Sequence, residues 1–309
     1  MSVEAERLLE LSRRADWTFP TSSGPPLRPG ELEPWAEELL AARGDLAPAA
    51  TALDRADAAE LGANAWRIWM VTRELDNGRA FLAAALDGSG GTPRHRALAL
   101  YGDGLLAFWT GAYDDSRQAN ETALALAGEA ADDQALTLAH LGLWRSCFGT
   151  ADYEQAREHA QEALAHAASL SPAMSQAPLH GVGQSMRFMG DLDGAAEFLA
   201  ESLALNRRID DAGMVVVELH NLGHVELHRG NLDAARRLFE ELGSLGPADD
   251  PYGVVMTHLN AGALALAEGD PNQAAAELEA ADTSLAESGI ELAPDDRFEL
   301  ERLREQLAD

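Results

Sequence analysis

The residues with the plainest capacity for chemistry are three histidines, His220, His224 and His228, spaced four apart. That spacing sets them in a slowly drifting row on one helix face, and a pair so separated is able to chelate zinc. His180, upstream, is a candidate third ligand. No glutamate directly follows a histidine as the metalloprotease pattern HExxH demands, and a catalytic site would need an open position and supporting partners as well. The row therefore reads as a ligand-facing or pH-sensitive polar strip, and no metal or other cofactor is assigned. Other catalytic signatures are missing: there is no lysine for a phosphate-binding loop, no GxSxG elbow and no dinucleotide-binding glycine pattern after a strand. Carboxylate pairs such as Asp114-Asp115, Asp132-Asp133 and Asp210-Asp211 fall at turns and helix starts, where capping accounts for them. No enzymatic activity is expected.

The elements that must carry these residues are paired helices. In the stretch from His220 to Leu242, Leu219, Leu222, Val225 and Leu227 recur at helical spacing, and Gly223 stands where a neighbouring helix has to come close. Gly230-Asn231 breaks the pattern with a turn and a cap, and Leu232, Ala235, Phe239 and Leu242 then return at steps of three or four. The unit recurs. Aligned on the residue after each turn, Leu75, Tyr113, Tyr153, Leu192, Leu232 and Pro271 lie about 39 residues apart, a period in the solenoid range. Three residues on stand Gly78, Ser116, Ala156, Ala195, Ala235 and Ala274, all small; nine residues back stand Trp66, Gly104, Trp144, Gly183, Gly223 and Gly262. Interlocking helical hairpins need small residues at such fixed offsets.

These positions resemble the tetratricopeptide repeat (TPR), with its leucine-glycine in the first helix and small and aromatic positions in the second, over residues 59–288. The match is best in Leu222-Gly223 with Leu232, Ala235 and Phe239. More narrowly, WRIWMVTRELDNGRAFLAAALD (Trp66–Asp87), YGDGLLAFWTGAYDDSRQANETALALA (Tyr101–Ala127) and the run Leu203–Glu241 look like the C-terminal repeat region of large actinobacterial transcriptional regulators. The resemblance implies an all-α solenoid of TPR-like hairpins forming a right-handed superhelix, and a protein-binding or scaffold role in transcriptional regulation or signalling. Two departures stand out: the period exceeds the ~34 residues usual for this repeat, and most copies lack its closing proline.

In TPR proteins the first helix of each pair lines the concave surface. The resemblance thereby assigns to the groove Arg67, then Tyr101, Leu105, Phe108 and Trp109, then Leu141 and Arg145. His180, Gln184, Arg187 and Phe188 follow, then His220, His224 and His228, and finally Leu259 and Ala263. Most carboxylates fall elsewhere, so an aromatic, locally basic groove inside an acidic shell is expected. Arginine offers a two-pronged fork to a carboxylate, which makes an acidic or carboxylate-bearing protein or peptide the expected partner, with a small anionic ligand or signalling peptide read by a sensor protein as the alternative. Packing alone would also account for Phe108 and Trp109, and an internal ion pair for Arg145. On the groove reading, charge reversal at Arg145 and Arg187 abolishes binding and leaves melting unchanged. Asn64, Asn221 and Asn260 occupy equivalent places in three first helices, suited either to holding a peptide backbone or to bonds between helices.

Composition sets the outer bounds. The 309 residues carry 52 acidic and 23 basic side chains, a formal net charge of −29, and every basic one is arginine. A field of that sign opposes direct nucleic-acid binding and anionic lipid. Without lysine, the lysine-based carboxylate clamp of chaperone-binding relatives is ruled out. The lone Cys147 excludes an intrachain disulfide, and with no apolar run of signal or membrane-span length the expected location is cytoplasmic. Three regions are expected: 1–58, N-terminal helices with a Pro/Gly-rich loop at 19–34; 59–288, about six hairpins; and 289–309, a charged C-terminal helix that caps the last apolar face. The run Gly88–Thr92, GSGGT, reads as a flexible connection.

Overall fold

A computed structural model describes residues 3–14, 34–245, 251–290 and 292–308. The loop expected at 19–34 lies almost wholly outside the described residues, which are mainly helical with no strand among them. The N-terminal stretch folds as Val3–Ser12, Pro34–Ala41, Arg43–Ala52, Arg55–Ala65 and Arg67–Thr72. Longer pairs follow: Pro93–Trp109 with Tyr113–Ala130, Asp133–Gly149 with Tyr153–Ala167, Ala212–His228 with Leu232–Leu245, and Pro251–Ala267 with Pro271–Ser288. Pro294–Ala308 is the C-terminal helix. None of the described helices is long and apolar enough to cross a membrane.

The repeat alignment has a direct structural counterpart, because each of its six aligned residues is the first residue of a helix. Two residues before each one the backbone turns left-handed, at Arg73, Gly111, Ala151, Gly190, Gly230 and Gly269, with φ between 58° and 86°. Glycine takes that conformation without steric cost, whereas Arg73 and Ala151 adopt it with a Cβ in place. Asp132, Asp152, Asp191, Asp211 and Asp270 then each accept a hydrogen bond from an N–H of the following helix's first turn. Those caps explain turn carboxylates that would otherwise invite a catalytic reading.

Close helix approach falls where the sequence places small residues. A Cβ on Gly223 would overlap the Phe239 ring, and one on Gly104 or Gly142 would overlap the buried Asn120 amide. Trp66 and Trp69 are buried as well. The GSGGT run, expected to be a loose connection, instead lies tight against Arg55 and Ala59.

Residues 1–185 and 186–309 form two compact units, and the divide falls inside the helix Gln176–Met189. The second unit has two apolar clusters. One gathers Leu199, Leu203, Leu219 and Val225; the other joins Val255, Met256 and Leu259 to Leu292, Leu300 and Leu303 of the C-terminal segment.

Candidate functional site

In the first unit the expected groove residues form a ladder of arginine and aromatic rings. Arg67 lies 5.4 Å from the ring centre of Trp66 and Arg145 lies 5.3 Å from that of Trp144. Tyr101 meets Trp66 edge-on at 5.5 Å, His180 meets Trp144 edge-on at 5.9 Å, and Arg145 Nη1 donates a long 3.5 Å bond to the Tyr101 hydroxyl. Arg67, Tyr101, Arg145, His180 and Gln184 are all buried. Burial lowers the Arg67 pKa to about 10, with Tyr101 opposing, so the guanidinium stays charged at neutral pH. Phe108 and Trp109 are half-buried and pack near the hairpin turn: Phe108 against Trp109 at 5.5 Å and Tyr113 at 5.6 Å, with Arg73 over Trp109. That is the packing alternative the sequence left open for this pair.

The second unit collects the rest of the expected basic residues, and a helix already lies across them. Arg187, the histidine row, Asn221, Asn260 and Tyr252 come from three successive first helices. Asp296, Glu299, Leu300 and Leu303, at steps of three, one and three, share one face of the C-terminal helix and are buried. Arg187 Nη2 donates to Glu299, with the two side chains only 3% and 2% exposed. Arg187 Nη1 donates to Asn221 Oδ1 at 2.8 Å. Glu299 also lies 3.4 Å from His224 Nδ1 and 3.2 Å from His228 Nε2. His220 Nε2 is 2.9 Å from Asp296 Oδ1, and the Tyr252 hydroxyl donates to Asp296 while accepting from the Ala293 N–H at 3.1 Å. Phe298 meets Phe188 edge-on at 5.1 Å beside the pair.

The electrostatics follow from that geometry. Burial by itself would raise the Glu299 pKa, but His224, Arg187 and His228 together hold it well below the usual carboxylate range. Asp296 behaves alike, with His220 and Tyr252 outweighing its burial. Complete burial pushes His224 down to about 4 against the pull of Glu299, so the ring is neutral near pH 7. A neutral His224 with its proton on Nε2 donates to Asn260 Oδ1 at 2.9 Å.

One expectation changes here. The Arg187 fork is filled by the chain's own Glu299, so reversing its charge would set two buried carboxylates face to face and destabilise the unit. The equivalent asparagines bond between helices: Asn64 Nδ2 to Ser12 Oγ at 3.4 Å, Asn221 to Arg187 and Asn260 to His224. Sequence reasoning missed Asp296 and Glu299 by treating the last helix only as a charged cap, and it did not single out Tyr252 on Pro251–Ala267. The available signal was a carboxylate pair three apart, followed by Leu300 and Leu303 on the same face.

No known family's sequence profile matches the chain, and neither does any curated protein. Solved structures do. A TPR protein from Parabacteroides merdae ATCC 43184 is similar over 100% of both chains, with a TM-score of 0.58 and 13% identity. A Rap protein complexed with competence and sporulation factor is similar over 89% of this chain and 80% of its own, with a TM-score of 0.61 and 14% identity. BtubC (BKLC) from P. vanneervenii has 18% identity and a TM-score of 0.53, over 84% and 94% of the two chains. The fold is therefore an all-α array of TPR-like hairpins.

Proposed function

We propose that the chain is a noncatalytic, cytoplasmic interaction module in transcriptional regulation or signalling, and that Arg187, His220, His224 and His228 receive a carboxylate-bearing segment of a protein or peptide partner. The observation that carries this reading is the C-terminal helix, which presents Asp296 and Glu299 to those residues from within the chain. A wall able to hold one such helix with its charges compensated has the chemistry to hold another. The partner enters by displacing the resident helix, so its preferred form is a helix with two carboxylates three residues apart and apolar residues beside them. A Rap protein of the same fold with a factor bound supports the reading by analogy of fold alone.

The test uses helical peptides that differ only in Asp-x-x-Glu, Asn-x-x-Gln or Lys-x-x-Lys, offered to the Asp296→Asn/Glu299→Gln chain, whose resident helix is loosened. The Asp-x-x-Glu peptide should be retained and the other two lost. Equal retention of all three would overturn the proposal, and competition by free citrate or acetate at stoichiometric levels would favour the small-anion sensor instead.

A further inference from the structure

Away from the C-terminal helix, a second group of histidines lies between Asp133–Gly149 and Tyr153–Ala167 in the first unit. His159, Glu162 and His166 follow one another at steps of three and four along the second of these helices, opposite His140 on the first. One ligating atom each from His140, Glu162 and His166 lies within 4.8 Å of the others. Two histidines and a carboxylate are the donor set of an open zinc site, where nitrogen and oxygen bind at ~2.0–2.2 Å.

The surrounding hydrogen bonds prepare these rings for a metal. His166 Nδ1 lies 3.1 Å from Asp133 Oδ1, and Ser169 Oγ donates at 2.8 Å to the other oxygen of the same carboxylate. With the Asp133 carboxylate as acceptor, His166 donates from Nδ1. Nε2 of His166 then carries the lone pair, the arrangement that a carboxylate imposes on a metal-ligating histidine. His140 Nδ1 faces His159 Nδ1 at 3.2 Å, a contact that two neutral rings satisfy with one proton between them. With His140 as the donor, its Nε2 is the bare nitrogen. His140 and His166 stack with their centroids 6.0 Å apart, and Glu162 is exposed, so its torsions are able to bring the carboxylate inward. The net charge of −29 raises the local concentration of cations.

We propose that His140, Glu162 and His166 bind one divalent transition-metal ion, best matched by zinc, with a water in the fourth position and with Asp133 and His159 orienting the two imidazoles. The ion clips the two helices of this hairpin together. His224, His228 and Glu299 also converge closely enough for a metal, but there the carboxylate is neutralised by Arg187 and one imidazole nitrogen is engaged by Asn260. The site at His140 departs from the metal-free expectation drawn from the sequence, which considered only His180 and the row from His220 to His228.

The test is calorimetric titration of zinc into the full chain stripped of metal by a chelator, followed by thermal unfolding read through tryptophan fluorescence. All six tryptophans precede residue 145, so the signal belongs to the first unit. One ion per chain should bind and raise the melting temperature of that signal. Glu162→Gln, at an exposed position that does not threaten folding, should weaken binding at least about tenfold, a loss of ~1.4 kcal/mol. His166→Ala should do the same, while His228→Gln leaves affinity unchanged. The absence of saturable binding, unaltered affinity in both Glu162→Gln and His166→Ala, or loss of binding in His228→Gln would each overturn the proposal.

Discussion

Glu299→Ala should be the most damaging single substitution in the C-terminal helix. The side chain is 2% exposed and satisfies Arg187, which is 3% exposed and sits on a different helix. Removing one member of a buried pair leaves the other charge without compensation, at a cost of ~3–5 kcal/mol. The second unit spans residues 186–309, and for a body of that size a loss on this scale lowers the melting temperature by about 10 °C or more. Replacing both members with apolar side chains of similar volume, Arg187→Met with Glu299→Leu, should recover most of the loss, because the desolvation penalty disappears along with the pair. The two units need separate readouts, since a single transition is not assured for such a chain. Amide exchange of the helix Pro294–Ala308 follows the second unit, and tryptophan fluorescence follows the first as an internal control. Faster exchange in Glu299→Ala, an unmoved tryptophan transition and recovery in the double variant are expected. Exchange within ~0.5 kcal/mol of the original chain in the single variant would refute the reasoning, because that is the range of substitutions at surface positions without special contacts.

Ala151→Gly should stabilise the first unit by ~1 kcal/mol, because Ala151 turns left-handed at φ 59° where most equivalent turns have glycine; an unchanged or lowered urea midpoint in tryptophan fluorescence would count against the shared turn geometry. Gly223→Ala should cost ~1–3 kcal/mol through overlap with the Phe239 ring, and Phe239→Leu should rescue it, as urea unfolding followed by circular dichroism would show. For pH, the folded-state His224 pKa of about 4 lies below its ordinary 6.5, so the unfolded chain binds more protons between those values. The stability contributed by neutral His224 is complete above pH 6.5 and is lost as pH falls towards 4. Glu299, held below its ordinary 4.5, adds a further loss only under about pH 4.5. Amide exchange of residues 212–228 at pH 8, 6 and 5 should accelerate after correction for the intrinsic rate, and slower corrected exchange on acidification would contradict the assignment.

The helical array was legible in the sequence because its determinants are local and periodic. Leu232 and Tyr153 begin helices, Gly230 turns left-handed and Gly223 admits Phe239, all at fixed offsets that repetition makes visible. Arg73 and Ala151 show the limit of that signal: packing holds them in the same turn conformation without the residue type that announces it. The basic side chains of the candidate site were legible too, since the helical period alone puts His220, His224 and His228 on one face. Their occupant was not. Pairing Glu299 with Arg187 joins positions 112 residues apart, and nothing periodic links the last helix to the first helices that it crosses. His140 and His166 escaped for a similar reason, because the turn between their helices brings together residues whose separation matches no ligand motif.

If the wall formed by Arg187 and the histidine row receives carboxylates on a helix, the C-terminal helix is its resident occupant and a matching peptide competes for the same place. Fluorescence anisotropy of a labelled peptide with the sequence of residues 294–307 tests it most directly, with the Asp296→Asn/Glu299→Gln chain as receptor and amide exchange confirming that its own helix has loosened. Saturable binding is predicted, weakened at least about tenfold when Arg187→Gln is added, the equivalent of ~1.4 kcal/mol. A freely exchanging resident helix with no binding of the peptide, or binding indifferent to Arg187→Gln, would contradict the account.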